Sequence, residues 1–341
     1  MKIALIVKEI EGGGIQKSFL TLFNSFNKYG IETYLFVLRK PKKLIINNKK
    51  IIILGHKINL INGIKLYFYI KKLKIDFAII NSEYMGKYIP LNSNKKFYTI
   101  HVIWSERIKQ NISGFFKKIS LKIKYNNKNL IVVSNGIKND INENLKIKYK
   151  NIYVIADPYD FEEIEQKSKE KVPIHNYIVS VGSLLSVKRH DILIKAFSKL
   201  KNKNIKLVIV GQGNQLEKLQ KLTKDLNLEK RVIFTDFEEN PYKWIKNSKL
   251  LVVSSESEGF SRVIIEALYL NIPVVSTNCS PIFKEEFFPK ELKPFIAKIN
   301  DIENLKETIE KALEYYPNYD RRFVQQFSDK NIIKEYLKIF K

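Results

Sequence analysis

Short apolar runs alternate along this chain with longer stretches in which apolar residues recur at helical spacing. Lys2 to Val7, Glu32 to Leu38, Lys50 to Leu54, Asp76 to Asn81, Lys96 to Ile100, Asn129 to Val133 and Asn151 to Ile155 are short and aliphatic, and each is read as a strand. A second set follows at Tyr177 to Val181, Ile205 to Val210, Arg231 to Thr235, Leu250 to Ser254 and Ile272 to Ser276. Helices are expected between most of them, including Ile15 to Lys28, His190 to Leu200, Asn214 to Leu226 and Tyr242 to Asn247, with two more at Asp301 to Tyr316 and Asp329 to Phe340. Strand, helix, strand is the rhythm of doubly wound parallel sheets. It is interrupted once, after Asp157-Pro158, by the polar stretch Phe161 to Pro173. The expected fold class is α/β, with Rossmann-like domains over 1–160 and 161–325 and a last helix in 326–341.

At 341 residues the chain is long enough for two such cores. A hydrophobic share of 45% argues against disorder. No apolar run reaches the length of a membrane span, and Met1 to Gly14 is charged too early for a signal peptide, so a cytoplasmic location is expected. Cys279 is the single cysteine, which leaves no intramolecular disulfide and no cysteine-rich metal site. The net charge of +25 is uneven: residues 1–160 hold 29 Lys/Arg against 10 Asp/Glu, and residues 161–341 hold 31 against 25. A uniform lysine-rich composition would not divide in this way, so the first half is expected to face something anionic: phospholipid, a pyrophosphate-linked acceptor or nucleic acid.

Two stretches sharpen that expectation. Between Ser105 and Asn127, Ile108, Ile112, Phe115, Phe116, Ile119 and Ile123 make one face, interleaved with Lys109, Lys117, Lys118, Lys122 and Lys124. Gly63 to Lys74 (GIKLYFYIKKLK) is similar. Each is either a core-packed helix with a solvated basic face or an interfacial helix on anionic lipid.

The chemistry concentrates at Ser254 to Thr277. A strand leads into a loop carrying Glu258, Gly259, Phe260, Ser261 and Arg262, then into a helix whose face includes Val263 and Glu266, then past Pro273 into the next strand. Amides at a helix N-terminus collect anions, while fixed carboxylates accept from sugar or ribose hydroxyls. Upstream, Gly12, Gly13 and Gly14 follow the first strand without Gly-x-Gly-x-x-Gly spacing, so no NAD site is read there. His101 ends the fifth strand, a position that is structural or, opposite the glycine loop, functional.

The Glu258-x7-Glu266 spacing, with its flanking strands, Gly259-Phe260 and Pro273, resembles the signature of retaining glycosyltransferases of family 4, bacterial surface-polysaccharide type, with the GT-B fold. The resemblance implies two Rossmann-like domains facing across a cleft, with the last helix crossing back onto the first domain. Gly182-Ser183…Lys188-Arg189 resembles the family's diphosphate-binding segment, with Lys188 at the lysine and Ser183 where an arginine is usual. Val232 to Phe237 resembles the strand and loop near the nucleotide base, with Asp236 in place of a usual glycine. The resemblance therefore implies donor contacts from Gly13, Gly14, Gly182, Ser183, Lys188, Arg189, Phe237 and Glu258 to Val263. It gives the ribose to Glu266, the transferred sugar to His101 and Glu258, and the acceptor to Gln16 and Lys17. It also implies a front-face mechanism in which the departing phosphate assists the acceptor hydroxyl.

No Asp-x-Asp occurs, so neither a metal nor a cofactor is expected, and Lys188, Arg189 and helix amides would stabilise the leaving diphosphate. The expected reaction moves a hexose or N-acetylhexosamine from a UDP sugar to a polyprenyl-diphosphate- or otherwise lipid-linked saccharide, at the inner face of the cytoplasmic membrane. A GT-B nucleotide-sugar 2-epimerase would need further acid/base carboxylates and no basic first half. A nucleic-acid-binding protein would leave Glu258 and Glu266 idle and repelling phosphates, so no nucleic acid is expected.

Overall fold

The computed structural model describes residues 1–41, 48–56, 58–81, 83–108 and 112–341. The chain clusters into two units, Met1–Asp160 with Phe327–Lys341, and Phe161–Gln326.

In the first unit the strands are β1 (Lys2–Val7), β2 (Glu32–Val37), β3 (Ile51–Ile53), β4 (Phe77–Ile80), β5 (Lys96–Ile100), β6 (Asn129–Val132) and β7 (Asn151–Val154). All pair in parallel, in the order β3-β2-β1-β4-β5-β6-β7. Central strands such as KIALIV and NLIV are near-continuously apolar because helices cover both faces of a parallel sheet. On one face lie α1 (Gly14–Lys28) and the C-terminal helix Asp329–Ile339. Phe26 meets Tyr336 edge-on at 5.6 Å, and Phe340 stacks on Phe77 at 4.8 Å. Asp329, buried at the start of that last helix, accepts from Ser25 Oγ (3.1 Å) and Tyr29 Oη (3.0 Å), which fixes it to α1.

The other face carries α2 (Asn59–Leu73) and a 3-10 segment Glu83–Tyr88, then α3 (Trp104–Arg107) and α4 (Ile112–Tyr125). Phe36 of β2 contacts Tyr69 of α2 at 6.0 Å, and a Cβ on Gly86 would strike Tyr98 of β5. The helical pattern expected across 105–127 is not one helix: α3 ends at Arg107, and Ile108 is extended at φ −90°, ψ 117°. Lys109, counted in that pattern, lies outside the described residues. The apolar faces do not pack inward. On α4, Gly114, Leu121 and Tyr125 are buried, whereas Ile112, Phe115, Phe116 and Ile123 are 63–78% exposed. On α2, Leu66 and Ile70 are buried while Leu60, Ile64 and Phe68 are exposed. The apolar face expected on 105–127 therefore points outward from α4, whereas α2 packs on the sheet through Leu66 and Ile70 and leaves Leu60, Ile64 and Phe68 exposed. After β6 come α5 (Asn135–Asn139) and a π-helical turn, Asp140–Leu145.

The second unit opens with α6 (Phe161–Ser168) and holds β8 (Tyr177–Val181), α7 (His190–Ser198), β9 (Lys206–Val210), α8 (Leu216–Asp225), β10 (Val232–Phe234), α9 (Tyr242–Lys246), β11 (Leu250–Val253), α10 (Arg262–Tyr269), β12 (Val274–Thr277) and β13 (Ile296–Ala297). The helices α11 (Ile302–Glu314) and α12 (Arg322–Gln325) complete it, and the C-terminal helix is α13. The sheet is again all parallel, in the order β10-β9-β8-β11-β12-β13. Leu193, Phe197, Leu219, Leu305 and Ile309 bring α7, α8 and α11 onto it. β13 went unread in the sequence because two residues carry no periodicity.

Candidate active site

A doubly wound sheet opens a crevice beyond its strand C-termini where the strand order reverses. In the second sheet that point lies between β8 and β11. β8 runs into Gly182, Ser183 and Leu184, which are sewn to the loop after β9: Gly182 N donates to Val210 O (3.0 Å) and Leu184 N to Gln212 O (2.9 Å). A Cβ on Gly211, at φ +148°, would sit 1.9 Å from Gly182 O, and one on Gly213 2.4 Å from Leu184 O. Only glycine permits these approaches. The end of the Lys188 side chain passes 3.8–3.9 Å from where a Cβ on Gly182 would be.

Lys188 Nζ reaches Glu258 Oε1 at 2.5 Å, and Ser255 Oγ donates to the same oxygen at 2.7 Å. The two loops are also tied by backbone, through Ser254 Oγ to Lys188 O (2.9 Å) and Glu256 N to Val187 O (2.8 Å). The segment after β12 supports them: Glu258 N donates to Cys279 O (2.8 Å), Thr277 Oγ1 to Ser255 O (2.5 Å) and Ser280 Oγ to Phe260 O (3.1 Å). Burial pushes the Cys279 thiol up to about 12, with Glu258 adding to it, so it stays uncharged behind the site. Ser180, Val181, Lys188, His190, Val253, Ser254, Ser255, Glu258, Ser261 and Val263 line one narrow pocket. A cation beside a carboxylate and several hydroxyls suits a ligand that is anionic at one end and hydroxylated at the other.

Gly182 and Ser183, both half-buried, are not among the residues that line this pocket. Arg189 does not extend beside Lys188. Its guanidinium is bidentate to Asp191 (3.0 and 3.1 Å) and also meets Asn300. Gly259 and Phe260 are buried in the loop. Ser261 is left-handed (φ 65°) immediately before α10, and its Oγ is buried without a hydrogen-bond partner among the described residues. Such strain is held in place by the surrounding loop and collects at binding sites. Arg262 Nε lies 3.9 Å from Glu266 Oε1, and Glu266 is only 3% exposed. Phe237 is exposed beyond β10. Asp236 adopts φ 56°, the left-handed conformation in which aspartate, of the non-glycine residues, is among the more tolerated.

His190 was not singled out in the sequence, where it reads as the start of a helix. Burial, then Lys188, hold its imidazole down at about 4, so it is neutral at pH 7, with Nδ1 unpartnered among the described residues.

In the first sheet the reversal lies between β1 and β4. Gly13 and Gly14 are exposed at the start of α1, which has neither a side-chain cap nor an acidic first turn. Gly12, at φ +111°, has nothing within 4 Å of where a Cβ would be. Gln16 and Lys17, half-buried, lie on the first turn of α1, and Ser18 is buried behind them. His101 follows β5 directly, its side chain 7% exposed, with Nδ1 3.4 Å from Asp157 Oδ1.

Residues 160–328 match the family model for glycosyl transferases group 1, and this part of the chain belongs to that family. The chain is 32% identical over 238 residues, 68% of its length and 65% of the relative's, to the N-acetylgalactosamine-N,N'-diacetylbacillosaminyl-diphospho-undecaprenol 4-alpha-N-acetylgalactosaminyltransferase of Campylobacter jejuni. Its matches span 52–65% of the length of the first curated relatives. Among solved structures, a glycosyltransferase from Rickettsia africae superposes with a TM-score of 0.74 at 21% identity, covering 100% of this chain and 97% of that one. The Anabaena protein HepE in complex with UDP and glucose gives 0.76 at 15%, covering 99% and 98%. The fold is GT-B, two Rossmann-like α/β units. Among the described residues, no helix is long and apolar enough to cross a membrane.

Proposed function

We propose that the protein is a retaining glycosyltransferase that moves a hexose or N-acetylhexosamine from a UDP sugar to a hydroxyl of a lipid-linked saccharide in bacterial surface-polysaccharide synthesis. The observation that carries this reading is the Lys188–Glu258–Ser255 group at the reversal point of a group 1 glycosyl transferase domain. Lys188 exchanges Glu258 for the donor diphosphate, and the freed carboxylate accepts from hydroxyls of the donor sugar. Glu266 holds the ribose, His101 contacts the transferred sugar, and Gln16 and Lys17 meet the acceptor. The acceptor oxygen bonds to C1 as the C1–O bond to UDP breaks on the same face, and the hydroxyl proton passes to the departing phosphate. Fixed positive groups rather than a metal stabilise that phosphate.

The relative from Campylobacter jejuni is named for a diphospho-undecaprenol-linked substrate, and HepE was solved with UDP. Both names support the lipid-linked acceptor and the UDP donor. The exposed faces of α2 and α4, with Lys117, Lys118, Lys122 and Lys124, support a reversible seat on an anionic leaflet.

The test incubates the protein with UDP-hexoses and UDP-N-acetylhexosamines, a polyprenyl-diphosphate saccharide and anionic vesicles. UDP release with an α-linked product from an α-linked donor is expected, undiminished by EDTA. No UDP release from any donor would sink the reading. An inverted product, or loss of activity in EDTA, would remove the retaining or the metal-free part alone.

A further inference from the structure

The cation and the carboxylate of the narrow pocket in the second unit are joined to each other. Lys188 Nζ and Ser255 Oγ both reach Glu258 Oε1, at 2.5 and 2.7 Å. The two side chains of the ion pair are only 23% and 13% exposed. Each partner stands on a fixed loop. Lys188 closes a 3-10 turn, Ser186–Lys188, and its carbonyl accepts from Ser254 Oγ. Ser255 is 2% exposed and held through its carbonyl by Thr277 Oγ1 at 2.5 Å, while Glu258 N donates to Cys279 O.

A half-buried carboxylate that loses its cation is left uncompensated, which costs far more than the loss of an exposed pair. Any diphosphate that takes Lys188 has to meet that cost. A nucleoside diphosphate by itself brings Glu258 only further negative charge. A nucleotide sugar brings hydroxyls, which donate to the carboxylate in place of the ammonium. Ser255 bonds the same oxygen from the loop side, so the carboxylate keeps its place during the exchange.

We propose that the Lys188–Glu258 pair is an internal competitor of the diphosphate, through which the site admits nucleotide sugars in preference to the free nucleoside diphosphate and gives up that product once the sugar has gone. The inference rests on the glycosyltransferase reading above and adds to it the discrimination between donor and product.

Calorimetric titration with UDP tests it. Glu258→Gln removes the charge, whereas Glu258→Asp keeps the charge on a side chain one methylene too short for the pair. Both variants should bind UDP about tenfold tighter than the wild type. The gain should be smaller for the UDP sugar that the wild type turns over, because its hydroxyls lose the carboxylate together with the competitor. In a Lys188→Met background, Glu258→Gln should alter UDP affinity far less, since the pair is already gone. Tighter binding by Glu258→Asp supports the competition by itself, should the amide unsettle the loop. A gain in Glu258→Gln alone would make direct repulsion of the phosphates the cause and would overturn the proposal. No gain in either variant, or an equal gain with and without Lys188, would overturn it as well. If neither UDP nor any UDP sugar binds the wild type or the variants, the glycosyltransferase reading fails, and the discrimination with it.

Discussion

The two units use one strand order and finish their reversal points differently. In the second, every loop at the sheet edge is clamped to another: Gly182 to the β9 loop, Ser254 to Lys188, and Ser255 to Thr277. Glycines serve there because backbones nearly touch, as at Gly211 and Gly213. In the first, the glycines after β1 are exposed and Gly12 has open space around it. A strand order shared through six strands, with a seventh added to the first sheet, thus supports a pre-paired pocket on one sheet and an open backbone loop on the other. On the proposed reading, the fixed charges suit a diphosphate and its sugar, and the open loop suits an acceptor.

The sharpest break of this contrast is Gly211→Ala. The added Cβ meets backbone, not a movable side chain, so it should cost roughly 4 kcal/mol and lower the melting temperature or prevent folding. Tolerance of alanine there would deny that the second pocket is clamped.

Acid should act next, through His190. Its folded-state value, about 4, lies below the unfolded 6.5, so the unfolded chain binds the proton more readily between them. The contribution is complete above pH 6.5 and is lost as pH falls towards 4, on the order of 3 kcal/mol. Chemical denaturation across that window should show the slope, and His190→Gln should flatten it. An equal slope in the variant would assign the acid sensitivity elsewhere.

Lys188→Ala removes the cation of the pre-paired site. Turnover of the active UDP sugar should fall on the order of 10²-fold, more than UDP affinity measured by calorimetry falls. Equal losses in both would mean that Lys188 serves binding alone.

On the first unit, replacing Lys117, Lys118, Lys122 and Lys124 with Ser should weaken sedimentation with anionic vesicles by at least about tenfold. Melting should barely change, because α4 turns its apolar stripe outward and these lysines make no core. Undiminished vesicle binding, or none by the wild type at low salt, would remove the membrane role of that face. The smallest effect belongs to Gly12→Ala, which meets no neighbour and should cost only about 1 kcal/mol, the price of a positive φ without a clash. A loss as large as at Gly211 would erase the difference between the two loops.

By itself the sequence determined the strands of both parallel sheets except β13, and it singled out Lys188 and Glu258, which the structure brings together. Strands buried on both faces are written as unbroken apolar runs such as LLVV and VVST, and Glu258, Glu266 and Lys188 stand at fixed distances from strand ends. What faces what was decided only by the tertiary structure. Helical spacing put Phe115, Phe116 and Ile123 on one side of α4, but periodicity relates residues to each other and not to a core; the stripe faces solvent. Arg189 follows Lys188 in the chain, yet Asp191 and Asn300 hold its guanidinium, because a left-handed backbone at φ 48° sends the two side chains apart. Asp157 read as the end of a domain and His190 as the first residue of a helix. Asp157 meets Ser18 and His101, and His190 lines the pocket with Lys188, because a parallel sheet delivers strand ends distant in sequence to a single edge, and no local pattern records that meeting.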